Sequence, residues 1–151
     1  MDIETFRNGL NKAINGEYLA VMTYQLYGAS LIGYEREIFK EIWMGESHSE
    51  LDHAEFFAEK IYALDGTVVP NFSLKGLDAF SPLPGVDFEI GDINFALRQL
   101  LKMESETIVL YKSLVEAADV LGYHDIAVGI ESILEDEREH YENLKMTLQK
   151  I

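Results

Sequence analysis

Apolar side chains recur every three or four residues over four long segments of the chain, a spacing typical of amphipathic helices. The first predicted helix runs from about Ile3 to Ser30, with Asp2 as its N-cap. Its inner face is expected to carry Phe6, Leu10, Ile14, Met22 and Leu26. Gly33 and Tyr34 are predicted to form a short turn at which the chain reverses direction.

The second helix is predicted from about Glu35 to Leu64. Asp65 and Gly66 are expected to end it, with Gly66 in the left-handed position that follows many helices. Residues 66–91 then hold all three prolines together with many apolar residues. We predict that this segment is an ordered crossover that contains a short helix.

The third predicted helix follows Asp92, another candidate N-cap, and runs to about Leu121. Gly122 breaks it, and the fourth helix is predicted from about His124 to the last residue. The two short turns produce two antiparallel helical hairpins, which the long crossover joins. The sequence therefore predicts an all-α four-helix bundle in a single domain spanning residues 1–151.

Composition narrows the functions that such a bundle can have. The chain has no cysteine, which excludes disulfides, thiolate metal sites and iron–sulfur clusters. Its formal net charge of -15 argues against nucleic acid as a partner. No segment approaches the roughly 18 uninterrupted apolar residues of a membrane span, and the N-terminus shows no secretory signal. We therefore predict a cytoplasmic protein that does not associate with membranes.

A repeat at an offset of 87 residues carries the candidate chemistry. In each half a Glu is followed by a Tyr, then by a second Glu, and three residues later by a His. The matched residues are Glu17, Tyr24, Glu50 and His53 in the first half, and Glu104, Tyr111, Glu137 and His140 in the second. Since residues three apart share one helix face, four carboxylates and two imidazoles are expected to converge. This set predicts a dinuclear metal site inside the bundle.

Charge explains why the site should hold two divalent cations. Buried carboxylates are costly unless their charge is compensated, and two divalent cations would neutralise four of them. We expect Glu50 and Glu137 to bridge the metals. The remaining ligands are expected to be Glu17 with His53 on one metal, and Glu104 with His140 on the other. This ligand set suits iron or manganese, whereas Zn²⁺ is expected to compete for the site without a redox role.

Three further residues are candidates for supporting the ligands. Tyr24 and Tyr111 lie on the ligand face, where each is expected either to hydrogen-bond a ligand or donate an electron, or to pack in the core. Asp136 is expected to orient the ring N–H of His53 across the bundle. Ser49 stands at the position related to Asp136 by the repeat, so this support is predicted to be asymmetric.

With all six ligand positions filled, the chain resembles the ferritin-like superfamily, and bacterioferritins most closely. The resemblance covers nearly the whole chain and rests on Glu17, ELDH at 50–53, Glu104 and EREH at 137–140. It implies a ferroxidase, which oxidises two Fe(II) ions with dioxygen or peroxide at a dinuclear centre. In storage members the ferric product then moves, as a mineral, into the cavity of a homo-oligomeric shell.

Two departures from bacterioferritins adjust this expectation. Leu51 stands where those proteins bind haem through a Met, so haem is not expected here. The short segment after His140 has too few residues for the fifth helix of cages with twenty-four subunits, whereas the crossover at 66–91 is more like that of Dps-type shells with twelve. We expect a homo-oligomer, with a dimer as its smallest form and a shell of twelve or twenty-four subunits as the larger one.

Two alternative functions remain open from the sequence. A rubrerythrin-like peroxide reductase, or another di-iron oxidase acting as a dimer, would use the same bundle. The chain lacks the cysteine-bearing module of rubrerythrins, however, and has Thr107 where their additional Glu is expected. The other alternative is a catalytically inactive bundle that binds metal only structurally or mediates contacts between subunits. We predict iron oxidation for storage or detoxification.

Overall fold

A computed structural model describes residues 1–70 and 92–149 in full and the backbone of Lys150. The helices in this part of the chain are α1 (Ile3–Ser30), α2 (Gly33–Ala63), α3 (Ile93–Val120) and α4 (His124–Lys150). They confirm the predicted all-α four-helix bundle, and the described residues contain no strand. None of these helices is long and apolar enough to cross a membrane. The predicted crossover with its short helix falls mainly on residues 71–91, which lie outside the described residues.

Consecutive helices form two antiparallel hairpins, α1 packed against α2 and α3 packed against α4. α1 is also antiparallel to α3, since Tyr24 contacts Glu104 while Tyr111 contacts Glu17. The backbones of α2 and α4 approach each other closely at few points. This arrangement leaves room between α2 and α4 for large polar side chains.

The two predicted N-caps are confirmed. The Asp2 carboxylate accepts a hydrogen bond from the backbone N–H of Thr5 at 2.8 Å. The Asp92 carboxylate accepts one from the N–H of Phe95 at 3.0 Å. Each bond satisfies an N–H group that the first turn of a helix leaves without a partner, so these two residues set where α1 and α3 begin.

α3 ends at the predicted glycine. Gly122 has a φ of +84°, a left-handed conformation that favours glycine. The N–H of Tyr123 reaches back to the carbonyl of Ala118 at 2.8 Å, which is the Schellman arrangement. This turn starts α4 immediately, because His124 is already its first residue.

The end of α2 differs from the prediction by one residue. Asp65, not Gly66, adopts the left-handed conformation, with a φ of +55°. The N–H of Gly66 donates to the carbonyl of Ile61 at 2.9 Å. Space at position 66 is tight, because a Cβ there would lie 3.1 Å from that carbonyl oxygen and 3.2 Å from Cδ of Arg7.

The turn between α1 and α2 lies earlier than predicted. Leu31 and Ile32 are extended, and Gly33 is already the first residue of α2, with a φ of +63°. Tyr34 belongs to the helix as well. Glycine at this junction allows the chain to reverse within two residues.

The apolar core is divided into two clusters that lie at opposite ends of the bundle. The first includes Phe6, Leu10, Ile14, Phe57, Ile61, Tyr111, Leu114, Ile126 and Ile130. The second includes Tyr24, Tyr27, Leu31, Trp43, Leu97, Leu100 and Leu144. Buried Glu and His side chains lie between the two clusters, so the core is interrupted at mid-height by polar groups.

The prediction that Met22 and Leu26 face inward is wrong. Met22 is 38% exposed and Leu26 is 51% exposed. The inner face of α1 is instead set by Glu17 and Tyr24, and at about 100° per residue Met22 is rotated well away from both. Apolar residues on two faces of α1 made the inner face ambiguous in the sequence.

We predict that Gly66→Ala lowers the free energy of unfolding by about 1–2 kcal/mol, because the new methyl group presses on a backbone carbonyl. Gly16→Ala is the matched control, since a Cβ at Gly16 meets nothing within 4 Å. This control should stabilise the protein by about 0.5–1 kcal/mol. Urea denaturation measures both, and equal effects of the two changes would contradict the spatial role of Gly66.

Candidate metal centre

The six predicted ligands are all buried at the centre of the bundle. They come from all four helices: Glu17 from α1, Glu50 and His53 from α2, Glu104 from α3, and Glu137 and His140 from α4. None is more than 7% exposed. The face-sharing predicted from the repeat therefore brings every one of these residues to the same region.

Their ligand atoms form two overlapping groups, each spanning no more than 4.8 Å. One group is Glu17, Glu50, His53 and Glu137, and the other is Glu50, Glu104, Glu137 and His140. Glu50 and Glu137 belong to both groups. Each group also contains one further carboxylate and one imidazole of its own.

The imidazole of His53 directs one nitrogen into the centre and the other away from it. Its Nδ1 lies 3.0 Å from Oε2 of Glu50, 3.0 Å from Oε1 of Glu137 and 3.7 Å from Oε1 of Glu17. Its Nε2 lies 2.9 Å from Oδ2 of Asp136. The predicted contact of Asp136 is therefore present, and it fixes the orientation of the ring.

His140 has the same arrangement at the other half of the centre. Its Nδ1 lies 3.0 Å from Oε1 of Glu50, 3.3 Å from Oε2 of Glu137 and 3.6 Å from Oε1 of Glu104. Its Nε2 lies 2.5 Å from Oε2 of Glu46. Both imidazoles thus offer Nδ1 to the centre and bind a carboxylate through Nε2.

Glu46 is a functional candidate that the sequence interpretation missed. The prediction of asymmetric support considered only Ser49, the position related to Asp136 by the repeat. His140 is instead supported by Glu46, which is not related to Asp136 by the repeat. Glu46 lies one helical turn before Glu50 and therefore on the same face of α2. That spacing was the available signal, but Glu46 sits among other polar residues of α2 and was not distinguished from them.

Each predicted tyrosine holds the terminal carboxylate of the opposite hairpin. The hydroxyl of Tyr24 on α1 donates to Oε1 of Glu104 on α3 at 2.5 Å. The hydroxyl of Tyr111 on α3 donates to Glu17 on α1. Both rings are also buried in the apolar clusters. The hydrogen-bonding and core-packing interpretations of these tyrosines therefore both apply.

Burial and mutual repulsion control the protonation of the carboxylates. Burial raises the pKa of Glu17 and of Glu104 well above the ordinary value, and the neighbouring carboxylates add to this effect. Burial acts in the same direction on Glu137, but its close contacts with the imidazoles of His140 and His53 outweigh it and lower the pKa of this residue. The site without metal therefore favours protonated terminal carboxylates.

The same contacts act on the imidazoles in the opposite sense. Burial tends to lower the pKa of His53, but its hydrogen bonds to Glu137, Glu17 and Glu50 raise the pKa well above the ordinary value. The pKa of His140 is raised by its contacts with Glu104, Glu137 and other carboxylates, again against the effect of burial. Protons thus compensate part of the negative charge that metal ions would otherwise neutralise.

Within the part of the chain that the structure describes, three buried polar atoms nevertheless have no hydrogen-bond partner: Oε1 of Glu50, Oε2 of Glu137 and Nδ1 of His140. Nδ1 of His140 lies 3.0 Å from this Glu50 oxygen and 3.3 Å from this Glu137 oxygen. Leaving such atoms unpaired costs free energy, whereas a cation placed among them would bind all three. The residues present therefore fit a site for metal ions.

Comparison with known proteins agrees with this arrangement. The Ferritin-like domain family matches residues 7–151. The chain belongs to this family. The predicted membership in the ferritin-like superfamily is thereby confirmed, and a group of carboxylates and imidazoles able to hold metal is consistent with it. No curated protein sequence matches the chain.

Two solved structures of ferritin-like proteins are similar to the chain over nearly its whole length. One is a ferritin-like, diiron-carboxylate protein from Bacillus anthracis str. Ames, at 30% identity and a TM-score of 0.84, covering 98% of this chain and 99% of that one. The other is the bacterioferritin-related protein from Bacteroides fragilis, a dodecameric thioferritin. It is 23% identical with a TM-score of 0.79, covering 99% and 88% of the respective chains.

We predict that Glu104→Gln stabilises the metal-free protein at pH 7 by about 1–3 kcal/mol. Folding raises the pKa of Glu104, so the folded protein holds this proton more tightly than the unfolded chain. Its contribution to stability is therefore largest below the ordinary pKa of 4.5 and is lost as the pH rises. Glutamine keeps an acceptor for the Tyr24 hydroxyl and removes this loss.

The measurement is chemical denaturation of the metal-free protein between pH 4 and pH 8. The stability difference between Glu104→Gln and wild type should grow with pH. Glu106→Gln, an exposed position on the same helix, is the control and should show no such growth. A difference that is independent of pH would contradict a raised pKa at Glu104.

Proposed function

We propose that this protein is a ferroxidase that oxidises Fe(II) to Fe(III) at a dinuclear centre, for iron storage or detoxification. The observation that carries the proposal is the pair of overlapping ligand groups that share Glu50 and Glu137. Two metal ions held on common carboxylates can give up electrons to a single oxidant molecule. A structural metal site would not need two adjacent positions of this kind.

The proposed ligands divide between the two positions. Glu17 and His53 would hold one iron, Glu104 and His140 the other, and Glu50 and Glu137 would bridge them. Oxygen and nitrogen ligands of this mixture suit iron and manganese. Mn²⁺ and Zn²⁺ are expected to substitute in the site, and no haem is included in the proposal.

Iron is the substrate in this reaction. Two Fe(II) ions lose one electron each, and dioxygen takes up both electrons with two protons to form hydrogen peroxide. Binding the ions requires that the protons on Glu17, Glu104 and the imidazoles leave, so loading should release acid. Burial keeps bulk water away from the reacting ions.

The surrounding residues hold the ligands in place. Asp136 and Glu46 accept the Nε2 protons of His53 and His140, which leaves each Nδ1 as the atom that faces the metal. Tyr24 and Tyr111 orient the two terminal carboxylates. In the proposal they also remain candidates for donating an electron to the oxidant.

Assembly and location belong to the proposal as well. We place the protein in the cytoplasm as a single domain spanning 1–151, forming a homo-oligomer that is at least a dimer and up to a shell of twelve or twenty-four subunits. The Bacteroides fragilis protein of the same fold is named as a dodecamer, which supports an assembly of this kind.

We predict that replacing both Glu50 and Glu137 by Ala abolishes rapid oxidation of Fe(II), because both metal positions lose a shared ligand. Absorbance of the ferric product after rapid mixing with aerobic Fe(II) measures the rate, and circular dichroism checks that the helices remain. The matched control replaces the exposed carboxylates Glu55 and Glu139 on the same two helices. Activity that survives the first double change would show that the site is wrongly assigned.

We predict further that the oligomer takes up far more than two irons per subunit as soluble ferric product. The reason is that a store must move each oxidised pair out of the centre and accept another. Light scattering gives the oligomer mass, and titration with aerobic Fe(II) gives the capacity. Oxidation that stops at two irons per subunit in a dimer would favour a di-iron oxidase over a store.

A further inference from the structure

The two halves of the centre differ in what covers them. Beside His140, a cleft of about 440 Å³ opens between α2 and α4. Phe39, Trp43 and Leu144 give it a largely apolar lining. Its polar lining includes Glu46 and His140, which are already paired with each other.

The inner wall of this cleft is one side chain thick. His140 lines the cleft and also directs Nδ1 towards Glu50 and Glu137. Tyr24 lines it too, and its hydroxyl bonds Glu104. A molecule in the cleft would therefore be separated from the metal ligands only by residues that touch them.

The equivalent place beside His53 is filled with aromatic rings. Asn143 and Leu144 of the cleft correspond in the 87-residue repeat to Phe56 and Phe57. Phe57 is fully buried, and its ring centroid lies 5.1 Å from that of Tyr111. Phe56 covers Gly129 so closely that a Cβ there would lie 2.4 Å from Cζ of the ring.

We propose that the cleft beside His140 is the path by which dioxygen reaches the centre, so that the two metal positions are unequal in their access to the oxidant. This inference rests on the proposed ferroxidase function. Dioxygen is small, uncharged and apolar, and an apolar cleft next to the ligands suits it. Fe(II) is a hydrated cation and hydrogen peroxide is polar, so the same lining disfavours both.

The 87-residue repeat suggests a substitution that tests this path, because Phe57 stands at the position that corresponds to Leu144. Leu144→Phe copies the aromatic ring of Phe57 into the cleft, and Thr147→Phe fills it from a second, half-buried position. Val128→Phe, at a 65% exposed position on the same helix, adds the same ring away from the cleft. Using two filling variants keeps the test valid if one of them folds poorly.

Trp43 is the only tryptophan in the chain and lines the cleft. Its fluorescence therefore reports how readily dioxygen enters the cleft, and no metal is needed for this measurement. In the metal-free full-length protein, dioxygen should quench this fluorescence, and each filling variant should lower the quenching constant roughly three- to tenfold. Val128→Phe should leave the constant unchanged. Equal quenching in wild type and in both filling variants would overturn the proposed path.

A second measurement separates this inference from the function it rests on. The filling variants should still bind two Co(II) ions per subunit. At limiting dioxygen they should oxidise Fe(II) more slowly, by the same factor by which they lower the quenching constant. Loss of Co(II) binding with unchanged quenching would overturn the path and assign the cleft to the metal. A wild-type protein with cleft-dependent quenching and two bound Co(II), but no Fe(II) oxidation, would overturn the ferroxidase proposal and support the path alone.

Discussion

The burial of four carboxylates and two imidazoles in the middle of an apolar bundle is the constraint on which the rest of the structure depends. Each isolated buried charge would be strongly destabilising. Most polar contacts of these six residues are made with one another or with the neighbouring side chains of Tyr24, Tyr111, Asp136 and Glu46. Among the described residues, three of their atoms have no hydrogen-bond partner. The two apolar clusters above and below must supply the stability that this polar layer does not.

The bonds between the hairpins follow from that constraint. Tyr24 and Tyr111 each donate to a carboxylate across the α1–α3 contact, so each hairpin positions a ligand of the other. His53 and His140 are held in a similar way between α2 and α4, by Asp136 and Glu46. The same contacts that orient the candidate ligands thereby link the two hairpins.

Sequence reasoning located the four helices and all six candidate ligands, because the signals were local or repeated. Glu50 and His53 share a face through helical spacing alone, and the offset of 87 residues duplicated the pattern. Prediction from the sequence failed for features that depend on the exact rotation of a helix or on the volume between helices. Met22 points outward because, of the two apolar faces of α1, the other one packs into the core. The cleft beside His140 depends on volume, which no spacing of residues encodes.

The sharing of Glu50 and Glu137 between the two ligand groups has a consequence for how the chain tolerates mutation. A change at Glu17 or Glu104 would remove a carboxylate from one candidate metal position and leave the candidate ligands of the other position intact. A change at Glu50 or Glu137 would remove a carboxylate from both candidate positions at once. Selection for a working pair should therefore be most stringent at the two shared carboxylates, although their chemistry is the same as that of the terminal ones.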